Sequence, residues 1–121
     1  MKELKLLYSY LPTYYGITLY KSSQFNNCIR VISDNINVSK KYLPTLQKTL
    51  KKYKISSILV STNIDVEYYL FIIKNKKDTM QALKTEYYFK LKELQYIKQQ
   101  ELKIMQEILN ITQQLHKLKK E

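Results

Sequence analysis

Cysteine and histidine, the side chains best suited to nucleophilic or metal chemistry near neutral pH, occur once each, as Cys28 and His116. A thiol becomes a working nucleophile when a base stands beside it. Cys28 sits in an apolar stretch and reads as a small buried hydrophobe. His116 belongs to a helical pattern near a helix C-terminus, which favours a partial positive charge. Nothing in the spacing brings the two together. Asp34, Asp65 and Glu67 are the acids that could gather round a divalent cation. Asp34 and Asp65 are better explained as turn formers and Glu67 as a hairpin surface residue, so no metal is expected. Gly16 is the sole glycine, which excludes a P-loop and a dinucleotide fingerprint. One cysteine cannot make an internal disulfide framework or a Cys-based zinc cluster. No cofactor is expected, and no enzyme.

A second chemistry, contact with anions, belongs to lysines. The pattern predicts a short helix over Lys41 to Lys54, with Pro44 tolerated near its start because first-turn N–H groups lack intrahelical partners. At 100° per residue, Tyr42, Leu43, Leu46, Leu50 and Tyr53 gather on one face. Lys41, Lys48, Lys51 and Lys52 fall opposite, and Lys40 stands beside them just ahead of the helix. No acid occurs between Asp34 and Asp65, so no intrahelical ion pair neutralises the face. Such a face is either a solvated surface or a contact for phosphates or an acidic protein. Lysine binds phosphate without reading sequence, and base-specific readout favours arginine's bidentate fork. Arg30 is the only arginine among 21 basic residues.

The third pattern is apolar. Residues 78–121 contain no Pro and no Gly and read as one long helix, with Asp78 and Gln81 spaced as a capping box. A helix from Thr79 to about Lys119 would be roughly 60 Å long at 1.5 Å per residue. With Met80 as an a position, the a series runs Met80, Tyr87, Leu94, Glu101, Ile108, Leu115. The d series runs Leu83, Lys90, Ile97, Ile104, Ile111, Leu118, while the f series from Thr85 to Lys120 is wholly polar. A seam of this period is the signal of a coiled coil. Leu91 and Met105 widen it at e, and Leu102 and Leu109 at b. The first half, to about Ile97, is expected to lie on the body. The half from about Leu102, with Ile104, Ile108, Ile111, Leu115 and Leu118, is expected to meet another helix, the alternative being a single amphipathic helix folded back over one monomeric domain. Glu86, Glu93 and Glu107 share g, where an in-register antiparallel pair would bring like charges together. A parallel pair offers Glu93 to Lys98 of a second copy, so a parallel homodimer is favoured.

The elements that must carry these patterns form an α+β domain, a small and mostly antiparallel sheet of two hairpins with the short basic helix and the long C-terminal helix. Glu3 to Leu11 alternates as a strand; Pro12, Thr13 and Gly16 mark a turn; Ile17 to Tyr20 returns as its partner. Residues 22–32 fit a helix or a short strand equally. Ile55 to Thr62 and Val66 to Lys74 read as strands around the loop Asn63-Ile64-Asp65. Leu70 to Ile73 is apolar on both faces, as a central strand covered on each side would be. No internal repeat is legible. The organisation expected is a small α+β body over residues 1–77 and a long helix over 78–121.

Composition bounds the rest. The formal net charge is +11, but the chain is rich in Lys, Ile, Asn and Tyr, as an AT-rich genome produces whatever the function. Residues 1–77 hold thirteen basic and four acidic side chains, and residues 78–121 hold eight and six. The body therefore carries the positive field. Twelve tyrosines against three phenylalanines suit either an interface or stacking on unpaired bases. No apolar run is long enough to cross a membrane. The N-terminus lacks a signal peptide's apolar stretch, so a cytoplasmic or equivalent reducing compartment is expected.

Two functions of different class follow. One is a non-enzymatic interaction or assembly protein, a homodimer or part of a larger protein complex held by the C-terminal helix. The other is a sequence-tolerant nucleic-acid binder, such as a ribonucleoprotein component or a phage-type or mobile-element accessory protein, using Lys40, Lys41, Lys48, Lys51 and Lys52.

Overall fold

The computed structural model describes residues 1–10 and 16–120. Its elements are helix α1 (Lys2–Tyr10), strands β1 (Ile17–Lys21) and β2 (Cys28–Ser33), helix α2 (Ile36–Lys52), strands β3 (Ser56–Ser61) and β4 (Glu67–Ile73), and helix α3 (Lys76–Lys120). The four strands form one sheet in the order β1-β2-β4-β3, antiparallel at every pairing. The fold is α+β, as the sequence implies. Two compact units divide the chain, Met1–Phe89 and the segment that starts at Lys90.

Side chains alternate across a strand, and here both faces of the sheet are covered. Ile17, Leu19, Ile29, Val31, Leu70 and Ile72 point to one face, where Leu7 of α1 and Leu43, Leu46 and Leu50 of α2 close the core. Cys28, Val60 and Phe71 point to the other, where Ala82 and Phe89 of α3 pack with Phe25, Ile58, Tyr69 and Ile73. Leu70, Phe71 and Ile72 are consecutive and fully buried, as expected of a strand covered on both sides.

The order strand, strand, helix occurs twice, although the sequence shows no repeat. Asn35 caps α2, its Oδ1 accepting from the N–H of Val38 at 3.0 Å. Asn75 stands in the same place before α3, its Oδ1 accepting from the N–H of Asp78 at 3.1 Å. The two helices nevertheless cover opposite faces. Each covers the face to which the last residue of its preceding strand points, Ser33 with Ile29 and Val31, and Ile73 with Tyr69 and Phe71.

Several local expectations need correction. Residues 3–10 are not a strand: α1 occupies Lys2–Tyr10, and Leu11 lies outside the described residues. Over nine residues Leu4, Leu6, Tyr8 and Tyr10 alternate by chance, while Glu3 and Leu7, one helical turn apart, are the residues that become buried. Glu3 suits the first turn of a helix and pairs with Lys74 at 3.3 Å. The first hairpin is therefore β1 with β2, and the ambiguous stretch 22–32 divides. Ser22 Oγ accepts from the N–H groups of Gln24 and Phe25, Asn27 takes a positive φ of 49°, and the strand begins at Cys28. Cys28 and Ile29 point to opposite faces and are both buried, which no single helical face allows. Helix α2 starts at Ile36 and not Lys41, so Pro44 lies inside it and withholds one N–H from the ladder. The expected turn at Pro12 and Thr13 lies outside the described residues. Gly16 takes φ 79°, its C=O accepting from the N–H of Asp34 at 2.9 Å.

Asp78 is not a capping residue. It is buried, accepts from the N–H of Lys74 at 2.9 Å, and receives the Asn27 amide on both oxygens at 3.2 and 3.3 Å. The carboxylate thereby ties the start of α3 to the end of β4 and to the β1–β2 turn. Asp78→Ala would strand these donors at a cost of about 1–3 kcal/mol. In a domain of this size each kcal/mol corresponds to roughly 4–8 °C of Tm. The expected outcome is a clear drop in the thermal midpoint followed by near-UV tyrosine dichroism. A variant melting within a degree of the parent would show that Asp78 contributes no anchor.

Candidate assembly surface

The residues by which α3 joins the first unit are Ala82, Thr85 and Phe89. Ala82 and Thr85 are buried, and Phe89 stacks on Tyr69 with ring centroids 6.1 Å apart. Their three- and four-residue spacing makes one stripe of a helix. In heptad terms they are c, f and c, so the a and d positions face elsewhere. Met80, Leu83 and Tyr87 are 48, 53 and 69% exposed. Polarity pointed the wrong way here: f looked like the solvent side, yet Thr85 is buried at f, donating its hydroxyl to the C=O of Gln81 at 2.8 Å. Self-satisfaction of that hydroxyl is what lets a polar residue face the core.

In the second unit every described residue from Lys90 to Lys120 is exposed. Ile104, Ile108, Ile111, Leu115 and Leu118 each leave 55–66% of their area in water. Leu91, Leu94 and Ile97 are exposed as well. So are Leu102 and Leu109 at b and Met105 at e. Gln106 Nε2 donates to Asn110 Oδ1 at 3.1 Å off the seam, and Lys90, at d, pairs with Glu93, at g, at 3.8 Å. Within its own unit this stripe of large aliphatic side chains is uncovered.

The lysine face forms on α2 as expected. Leu43, Leu46 and Leu50 turn into the core, and Lys40, Lys41, Lys48, Lys51 and Lys52 are all exposed. Lys41, Lys48 and Lys52 lie opposite the buried stripe, while Lys40 and Lys51 lie on its flank. Among the described residues none of the five forms an ion pair, and Lys41 Nζ rests 5.3 Å from the Tyr42 ring centroid. The arrangement can attract an anionic surface but holds no bidentate donor.

Two features escaped the sequence reading because they join residues distant along the chain. A cleft of about 880 Å³ is lined by Lys2, Lys21 and Lys74 with Glu3, Asn26 and Asn27. Register also places Tyr20, Arg30 and Tyr69 in one cross-strand row. Arg30 there is committed to Glu67 at 2.8 Å, a bond that raises its pKa further. The crowd of tyrosines is partly structural: Tyr8 donates to the C=O of Leu19, and Tyr10 is hydrogen-bonded to Tyr53. Tyr14 and Tyr15 lie outside the described residues.

Cys28 and His116 belong to different units. Cys28 is buried, and burial pushes its thiol up to about 12; His116 is exposed on α3 in the other unit. Asp34, Asp65 and Glu67 form no metal cluster among the described residues, where no helix is long and apolar enough to cross a membrane. Since the neutral thiol is favoured by the fold, Cys28 should resist a thiol-specific disulfide reagent at pH 8 and react only as the domain opens. Its raised pKa adds stability below pH 9 that is lost as pH climbs toward 12, so alkaline unfolding and thiol reactivity should rise together. Rapid stoichiometric labelling of the native protein at pH 8 would contradict this burial. Comparison with protein-family models, curated proteins and solved structures finds no match to this chain, so function rests on the surfaces described above.

Proposed function

We propose that this protein is a non-enzymatic assembly protein, a basic α+β body that self-associates in parallel through α3. The observation that carries the reading is the exposure of the a and d residues, in the first unit at Met80, Leu83 and Tyr87 and in the second from Leu94 to Leu118. Full burial of each large aliphatic contributes about 1.5–3 kcal/mol. An exposed ion pair contributes only about 0–1 kcal/mol. The apolar seam therefore drives association, and the flanking charges choose its orientation. Glu86, Glu93 and Glu107 at g are acids, whereas Lys84, Lys98 and Lys119 at e are bases. Parallel helices bring g of one copy to e of the next heptad of another, as Glu93 to Lys98. Antiparallel helices in register bring g to g. Like charge thus disfavours the antiparallel form.

The test is mass in solution by light scattering or sedimentation, for the intact chain and for Ile108→Lys with Ile111→Lys. The intact chain should run as a homodimer or larger, and the double variant should run as a monomer with the body's tyrosine spectrum unchanged. A monomeric parent at high micromolar concentration would overturn the reading.

The lysine face of α2 supports a second reading, a sequence-tolerant contact with nucleic-acid phosphates, because its five cations are exposed and, among the described residues, unpaired by acids. Parallel assembly would strengthen it, since linked copies bind with a high effective concentration. Replacing Lys41, Lys48 and Lys52 with Glu should abolish retention on heparin and single-stranded DNA and flatten the salt dependence. Unchanged retention would leave the face as a solvated surface.

A further inference from the structure

We infer that the distal part of α3 assembles three or four copies in parallel, where the simplest coiled coil would join two. The inference rests on the assembly reading above and concerns which residue types occupy the seam. In a two-stranded parallel coil the d side chain points into the base of its hole. An unbranched Cβ such as that of Leu fits there, while β-branched Ile is favoured at a. This helix has the reverse at most of its distal layers. Ile97, Ile104 and Ile111 occupy three of the four distal d positions, and Leu94 and Leu115 occupy two of the four distal a positions, the other two being Glu101 and Ile108. Leu at a with Ile at d is the arrangement that shifts preference to trimers and tetramers.

The width of the apolar surface agrees. Two helices cover a and d and leave b in water. On this helix Leu91 and Met105 at e and Leu102 and Leu109 at b extend the apolar arc to one side, and all four are exposed. A third or fourth helix covers that flank, whereas the opposite flank at g holds only Glu and Gln over the described residues. Glu101 at a opposes a high copy number, because every added helix brings another carboxylate to the axis. It occupies a single layer, bracketed by Ile97 and Ile104 and preceded one turn earlier by Lys98. Six apolar layers from Leu94 to Leu115, with Ile at three of them in d, outweigh the one acidic layer. Glu101 then holds the register at some loss of affinity.

Sedimentation equilibrium of the intact chain at tens of micromolar decides between the possibilities. Three or four chain masses are expected. Two chain masses would overturn this inference and leave the assembly reading standing, and one would overturn both. A second variant keeps the test on the seam itself. Leu94→Ile and Leu115→Ile combined with Ile97→Leu, Ile104→Leu and Ile111→Leu restore the two-stranded preference with nearly the same composition. That variant should fall to two masses, and an unchanged copy number would refute the role given to the d isoleucines. Orientation is read from Leu118→Cys at d, since Cys28 is buried. Mild oxidation should link chains through the new thiol in a parallel bundle. Absence of the link in an assembled sample would exclude the parallel arrangement.

Discussion

Pairing of β2 with β4 is the constraint on which the remaining architecture depends. It joins two hairpins that are otherwise local, with Ile29 opposite Leu70 and Cys28 opposite Phe71. A two-stranded hairpin alone is marginal in water, so neither half has a core until this register is set. The register also decides side-chain direction at every position, because a slip of one residue exchanges the two faces. Ile29, Val31, Leu70 and Ile72 then meet α1 and α2, while Cys28 and Phe71 meet α3. A sheet wanted on both sides explains why β4 carries an unbroken apolar run where a surface hairpin would alternate.

The same constraint selects the face of α3 that remains free. Ile73 directs the chain to the second face, Asn75 caps the helix, and Asp78 holds its first turn to the Lys74 N–H and the Asn27 amide. With that turn fixed, the helical period alone brings Ala82, Thr85 and Phe89 to the sheet. Small and self-satisfied side chains at 82 and 85 permit close approach. The a and d residues Met80, Leu83 and Tyr87 are thereby turned away from the core. Rotating the helix by one residue would bury Leu83 in place of Ala82, so the anchoring carboxylate decides which stripe stays exposed.

The charge of α2 is arranged without reference to that stripe. Its lysines face away from a core formed by Leu43, Leu46 and Leu50, and three acids of the body are spent elsewhere: Glu3 on Lys74, Glu67 on Arg30, Asp78 on the Asn27 amide and the Lys74 N–H. The lysine face belongs to the body and the apolar stripe to the helix. The field of such a face is screened by salt.

The sequence by itself determined the pieces whose signals are local. Ser56–Ser61 and Glu67–Ile73 are dense in β-branched and aromatic residues, and the tyrosines and leucines of α2 repeat at helical spacing. Residues 76–120 contain nothing that stops a helix. In the strands the density of β-branched and aromatic residues, and in the helices the length of the pattern, exclude the alternative. In Lys2–Tyr10 the alternation of Leu4, Leu6, Tyr8 and Tyr10 misled, and in Cys28–Ser33 alternation and helical spacing fitted equally well until pairing with β1 and β4 settled the matter. Pairing of distant segments is not encoded in any local period. The tertiary structure alone decided that β1 pairs with β2, that Asp78 is an anchor and not a cap, and that α3 turns c and f to the core. The last is the clearest case. A heptad tells which residues share a stripe, but which stripe is buried depends on where the preceding strand ends and which face its last side chain points to.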